Sequence, residues 1–137
     1  MIVEPTTEGS LITLAYLINH SPVPQQWWLR CGYFQVFVRY EDKRLPDAIA
    51  ARRTLTVSAM SADEPYMTIR KDVARCGAVL FSFMRWLSKL PEGLKSTDIV
   101  SIWVENVTQE PWWPLFDARG FTGYNTGCIR HYFKHIK

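Results

Sequence analysis

Cysteine is scarce in this chain. There are 3 among 137 residues, Cys31, Cys76 and Cys128, an odd number at long spacings and with no CxxC pair. That usage argues against a disulfide framework and against a zinc knuckle, and it fits a reducing, cytoplasmic compartment. Long apolar runs are missing too: the best, over 11–18, is too short to span a bilayer. Residues 1–10 hold Glu4 and Glu8 but no Lys or Arg, so the basic start of a secretory signal is absent. Neither sign of charge dominates. With 16 basic residues against 13 acidic ones the net charge is +3, which favours an anionic small ligand but is too weak to imply nucleic acid. No repeat, low-complexity tract or linker interrupts the chain, and its length suits one domain over 1–137.

What is present is ordinary core material with an aromatic excess. Hydrophobic residues make up 47% and charged ones 21%, so a packed core is expected and disorder is not. Aromatics reach 14% with 6 Trp, four of them in the pairs Trp27-Trp28 and Trp112-Trp113. Such pairs serve core on one side and a lid or interface on the other; a substrate groove, a protein partner surface or a homodimer contact is the second reading. Basic residues gather at Arg70, Lys71 and Arg75, and again over 130–137.

Helical spacing of Leu11, Leu14, Leu17 and Ile18 predicts a first helix over 10–20, stopped by Pro22 and Pro24. Strands are predicted over 33–40 and 53–60, both rich in β-branched and aromatic residues. Asp63, Glu64 and Pro65 mark a loop. From 75 to 90 the residues Cys76, Val79, Leu80, Phe83, Leu87 and Leu90 share one face of a long helix, ended by Pro91 and Gly93. The apolar run 98–107 reads as a central strand covered on both faces. A short helix over 111–118, closed by Gly120, precedes a final strand over 127–136, with Tyr124, Asn125 and Thr126 in a turn or a preceding strand. The order implies an α/β (α+β) fold with a mixed central sheet flanked by helices.

Three stretches carry a family resemblance over 54–134. The segment Arg75-Cys76-Gly77-Ala78 opens the long helix after a strand and loop. It resembles the Arg-Gly-x-Gly form of the pyrophosphate loop of the GNAT acetyltransferases, with Cys76 at the first Gly, Ala78 at the second and Val73 at the upstream Arg/Gln. Small residues there let backbone approach an anion held by free N–H groups at the positive helix end. The segment from Gln109 to Phe121 matches the spacing of the family's Asn-x-x-Ala-x-x-Leu-Tyr-x-x-x-Gly-Phe, with Gln109 at the Asn and Phe116 at the Tyr. The run Val104-Glu105-Asn106-Val107 is similar to one in a branch of small GNAT-like proteins, several of them phage-encoded.

The resemblance implies an acyl-CoA-dependent N-acetyltransferase that moves an acetyl group from acetyl-CoA to an amine of a small molecule or protein. Main-chain amides from Arg75 through Cys76, Gly77 and Ala78 to Val79 would hold the pyrophosphate, and Gln109 would lie near the pantetheine. Donors at Met60 and Ser61 would polarise the thioester carbonyl. Glu105, near the end of the central strand, is the candidate general base, directly or through a water; a solvated strand-end carboxylate is the alternative. Asp63 and Glu64 are rivals, and on the second strand only Ser58 and Ser61 are available. Phe116 cannot donate the proton that the family's Tyr gives to the departing thiolate, which leaves Tyr66, Tyr124 and Tyr132 as substitutes or as ordinary aromatics. Loss at Phe116, Cys76 and Val73 equally fits a decayed scaffold that binds a protein or nucleic-acid partner through its Trp pairs or basic tail. His131 and His135 share a strand face, with His20 the remaining His; a surface tail is favoured over a metal site. The basic tail Arg130, His131, Lys134, His135 and Lys137, which alternates with Tyr132, Phe133 and Ile136, fits either phosphate contacts or an amphipathic edge strand protected by Lys.

Overall fold

Strict alternation of burial along Phe34, Val36, Val38 and Tyr40 turns one face of the strand Phe34–Lys43 into core, and the rest of the fold is built against that face. The computed structural model describes residues 7–32, 34–62 and 73–137. Among these the order is α1 (Thr7–Asn19), β1 (Gln25–Cys31), β2 (Phe34–Lys43), β3 (Arg52–Ala62), α2 (Val73–Gly93), β4 (Ser101–Val104), a 3₁₀ turn (Glu110–Trp112), α3 (Trp113–Ala118), β5 (Thr122–Thr126) and β6 (Ile129–His135). The strands form one mixed sheet in the order β1-β2-β3-β4-β6-β5, with β3 and β4 parallel and the other neighbours antiparallel. A parallel pair needs a crossover, and α2 supplies it. The mixed α/β sheet flanked by helices is therefore what the sequence implied.

Val38, Val57, Val104 and Tyr132 stand side by side across four strands and belong to one core with Leu14 and Ile18 of α1, Phe83, Trp86 and Leu90 of α2, and Phe116 of α3. All three helices thus pack on the same sheet face. Phe34 meets Phe83 and Trp86 edge-on, and Phe116 lies flat on Tyr132 with ring centroids 4.7 Å apart. Gly93 lets α1 come close, since a Cβ there would sit 3.1 Å from Leu11 Cβ. The opposite face has a small core of its own, in which Trp103 and Phe133 are covered by Leu45 and Ala48 of the β2–β3 connection. That strap is tied down by Asp47, whose carboxylate lies 2.7 Å from His135 Nε2, while His135 Nδ1 is 2.8 Å from Ser101 Oγ. The expectation that the strand around 98–107 is covered on both faces holds for Ser101–Val104, with a loop doing the covering on one side.

Several expectations shift. Strand β1 was not foreseen. It pairs along its whole length with β2, and its Trp27 leans on the core while Trp28 is exposed against Phe37. Helix α2, described from Val73, continues through Pro91 to Gly93; a proline so close to the end costs one hydrogen bond and leaves no long helix beyond it to kink. Strand β6 is not an edge strand but lies between β4 and β5, so its Lys and Arg do not protect an edge. No described helix is long and apolar enough to cross a membrane.

Candidate functional site

The parallel pair β3–β4 is short. Its register runs from Thr54↔Ser101 to Val57↔Val104, with one further bond from Glu105 N–H to the Val57 carbonyl at 2.9 Å. Beyond that point the strands part. β3 continues to Ala62, paired among the described residues with β2 alone, and its partner register jumps from Val38↔Val57 to Phe37↔Ala59, leaving Ser58 as a bulge. A bulge of this kind bends and twists the strand that carries it. On the other side Asn106 takes the left-handed conformation, φ 57°, which Asn tolerates better than most residues, and the chain leaves the β3 side. Val107 N–H then bonds to the Arg130 carbonyl at 2.8 Å. Both deviations fall just past the last paired residues, so pairing stops at the C-terminal ends of two parallel strands; open α/β sheets bind ligands at such places, which makes this the candidate cleft.

Among the described residues, no strand pairs with β3 from 58 to 62 on the side away from β2, so backbone groups on that side border the candidate cleft. Met60 and Ser61, expected as main-chain donors, fall in this stretch. Helix α2 follows β3 and is described from Val73 onward, with Arg75 and Cys76 in its first described turn. The amides of Gly77, Ala78 and Val79 lie inside the helical ladder, so those residues offer close approach and the helix field rather than free donors. Asp63, Glu64, Tyr66, Arg70 and Lys71 lie outside the described residues.

Glu105 sits at the cleft mouth, half-buried and on the sheet face away from the helices. Its Oε1 is 2.6 Å from Arg39 Nη2. Arg39 Nε reaches Glu41 Oε2 at 3.2 Å, and Thr56 Oγ1 donates to the same oxygen at 2.5 Å. Burial works against the Arg39 charge, but the hydrogen bond and charge of Glu105, followed by those of Glu41, outweigh it and raise the guanidinium's pKa. Beside them, Asn106 N–H donates to His131 Nδ1 at 3.2 Å, and the His131 ring stacks on Trp103 with centroids 5.0 Å apart. Burial lowers the His131 pKa, Glu105 opposes that and Lys43 adds to it, so the ring is neutral near pH 7. With Nδ1 accepting, the proton of the neutral ring sits on Nε2.

On the helix side of the cleft a second cluster closes the wall. Trp113 Nε1 donates to the Val107 carbonyl at 2.8 Å. The Arg130 guanidinium lies 4.9 Å from both the Trp113 and Tyr132 ring centres, and its Nε donates to the Tyr132 hydroxyl at 2.8 Å. Phe116 is fully buried between Tyr132 and Phe121 and is pure core. Tyr132 is also buried, with its hydroxyl 3.4 Å from the Trp113 carbonyl; Tyr124 is half-exposed on β5. Gln109 is exposed ahead of the 3₁₀ turn, where its carbonyl rather than its side chain makes the cap. Trp112 packs against Phe83. His131 and His135 do share a face, but each has separate partners, and among the described residues no group of three or more His, Cys, Asp or Glu stands together.

Arg39, Glu41 and Thr56 belong to no motif in the sequence. The signal available was the charge alternation Arg39, Glu41, Lys43 on one face of a strand otherwise read as core.

No family model matches the chain, and no curated protein matches it. Among solved structures, similar chains include a point-mutant AtaT toxin bound to the C-terminus of the antitoxin AtaR and acetyl-CoA. Its TM-score is 0.47 and its identity 11%, over 83% of this chain and 69% of that one. A KacTA–DNA complex matches with TM-score 0.46 and 12% identity over 90% and 79% of the two chains. An AtaTR structure with acetyl-CoA matches at 0.43 and 12%, over 83% and 71%.

Proposed function

We propose that this chain is a GNAT-type N-acetyltransferase that transfers an acetyl group from acetyl-CoA to an amine. The observation that carries the reading is the parting of β3 and β4 past Val57 and Val104, directly upstream of a long helix. A pantetheine arm is a narrow chain with amide groups. It fits a slot whose one wall is unpaired strand backbone from 58 to 62, and its pyrophosphate reaches the first turn of α2, where amides and the helix field favour an anion. Of the adjacent Met60 and Ser61 amides, which point to opposite edges of the strand, the one turned away from β2 polarises the thioester carbonyl. Glu105, directly or through a water, takes the proton that the amine loses as it attacks. The tetrahedral intermediate then expels the coenzyme A thiolate, whose basicity is low enough for it to leave without a dedicated acid. Phe116 is consistent with that, and the buried Tyr132 hydroxyl already donates to the Trp113 carbonyl.

Saturating acetyl-CoA tests this. Ligand at about 100 times its dissociation constant adds about 2.7 kcal/mol of stability, which raises the melting temperature by several degrees. Coenzyme A thiol should appear when primary amines are added. An unchanged melting temperature, with no backbone signal moving at the start of α2, rules the reading out.

A second reading rests on two observations: Glu105 is engaged by Arg39, and Trp28 is 49% exposed beside Phe37. On that reading the fold is a catalytically decayed scaffold that binds a protein or nucleic-acid partner. A single stoichiometric partner lost on Trp28→Ala, together with no acetyl-CoA binding, supports it over the enzyme.

A further inference from the structure

We infer that Arg39 is the positioning residue for the Glu105 carboxylate, and that the chain Thr56–Glu41–Arg39–Glu105 exists to hold that carboxylate at the cleft mouth. The inference rests on the reading of Glu105 as proton acceptor. Three strands contribute. Arg39 and Glu41 come from β2 and Thr56 from β3, while Glu105 follows the last residue of β4. Thr56 is fully buried, and its hydroxyl donates to Glu41 Oε2; that same oxygen accepts Arg39 Nε at 3.2 Å, and Arg39 Nη2 then reaches Glu105 Oε1 at 2.6 Å. The side chains of Arg39, Glu41 and Glu105 are 29%, 24% and 20% exposed, so water competes only partly for these bonds.

The geometry suits positioning better than simple charge balance. A guanidinium presents its donors in a rigid fork. Glu41 holds it at Nε, so Nη2 is fixed in space and Glu105 Oε1 is fixed with it. No described hydrogen bond occupies Glu105 Oε2, which stays available for a proton. Glu105 lies at the point where β4 ends and the left-handed Asn106 begins, so its side chain has no following strand residue to constrain it. Arg39 supplies that constraint from across the sheet. Because the network lies on the face away from α1, α2 and α3, the acceptor amine approaches from the helix-free side while coenzyme A enters from the α2 side.

The test uses the full chain, acetyl-CoA and a panel of primary amines (an alkyl monoamine, a polyamine, a lysine-bearing peptide), with release of coenzyme A thiol as the readout. Arg39→Gln should lower kcat by about 10- to 100-fold and leave KM for acetyl-CoA unchanged. Arg39→Lys, which keeps the charge but not the fork, should recover only part of the loss. Glu105→Gln should be slower still, and the double variant no slower than Glu105→Gln alone, because Arg39 has nothing left to position. A kcat for Arg39→Gln within about twofold of wild type, or losses that multiply in the double variant, overturns the inference. A wild type that binds acetyl-CoA but acetylates no amine overturns it as well and leaves the cofactor site standing. A wild type that does not bind acetyl-CoA removes the enzyme reading itself.

Discussion

Gly123→Ala changes sign with its background if the wall on the helix side of the cleft is built as described. Gly123 is opposite Tyr132 in the β5–β6 ladder, and the Arg130 guanidinium lies where its Cβ would be. Gly123 does not occupy the left-handed region, so the backbone accepts Ala, and the loss of glycine freedom alone is worth about 0.5–1 kcal/mol in favour of the variant. Against this stands the displacement of Arg130, with its bonds to the Tyr132 hydroxyl at 2.8 Å and Asn125 Oδ1 at 3.1 Å. Half-exposed as it is, each bond contributes about 1 kcal/mol, and the contacts with the Trp113 and Tyr132 rings about 0.5–1 kcal/mol each at a site of this exposure. Losing all of these contacts costs about 3–4 kcal/mol, so after the glycine gain the net effect in wild type is a loss of about 2–3 kcal/mol, or roughly 10 °C in melting temperature for a chain of this size.

In an Arg130→Ala background the clash partner is gone. There the same Gly123→Ala change should stabilise, by about 0.5–1 kcal/mol. Thermal unfolding of the four proteins of this cycle gives the answer directly. Equal losses in both backgrounds would mean that Arg130 does not lie over Gly123, and the description of the cleft wall would be wrong.

Three further outcomes follow from particular contacts. Burial pushes the Cys31 thiol from its ordinary 9.0 up to about 11, with a Ser10 bond opposing; the unfolded chain therefore ionises first, so stability is intact below about pH 9 and falls by about 1.4 kcal/mol per pH unit above it. Urea titrations at pH 8 and pH 10.5 should show that fall in wild type and a smaller one in Cys31→Ala, whereas alkylation at pH 8 should mark the exposed Cys128 and spare Cys31. Asp47→Ala removes the tie to His135, a half-exposed pair, so the loss should stay within about 1 kcal/mol while amide exchange quickens over 44–51; unchanged exchange there would show that the strap is held by Leu45 alone. At Asn106, with φ 57°, Gly should be neutral or mildly stabilising and Val should cost about 1–2 kcal/mol, read by chemical denaturation; a harmless Val would contradict the left-handed turn.

Much of the core was legible because its period was clean. Phe34, Val36 and Val38 alternate as a half-buried strand must, and the α2 stripe of Val79, Phe83, Leu87 and Leu90 is the face that packs. Strand β1 escaped because Gln25, Gln26 and Arg30 dilute its pattern and the segment follows two prolines; only its pairing with β2 makes it a strand. The position of Glu105 at a strand end was legible. Its partner was not, since Arg39 is 66 residues away along the chain and no local pattern pairs them.

The candidate site gathers where regular structure is broken, and each break has its own cause. Ser58 interrupts the β2–β3 register, Asn106 turns the chain left-handed after β4, and Arg39 and Glu41 place charges on a sheet face that Trp103 and Phe133 elsewhere keep apolar. None of these helps the sheet to form. A bulge forfeits a ladder pair, and a half-buried ion pair returns little of its desolvation cost. Local choices that work against the surrounding order and still persist in a well-packed sheet point to function. Here they converge on the ends of β3 and β4, with the α2 start on one side of the sheet and Glu105 on the other. On the proposed reading, a cofactor bound from the helix side and an acceptor arriving from the charged side would meet at that opening.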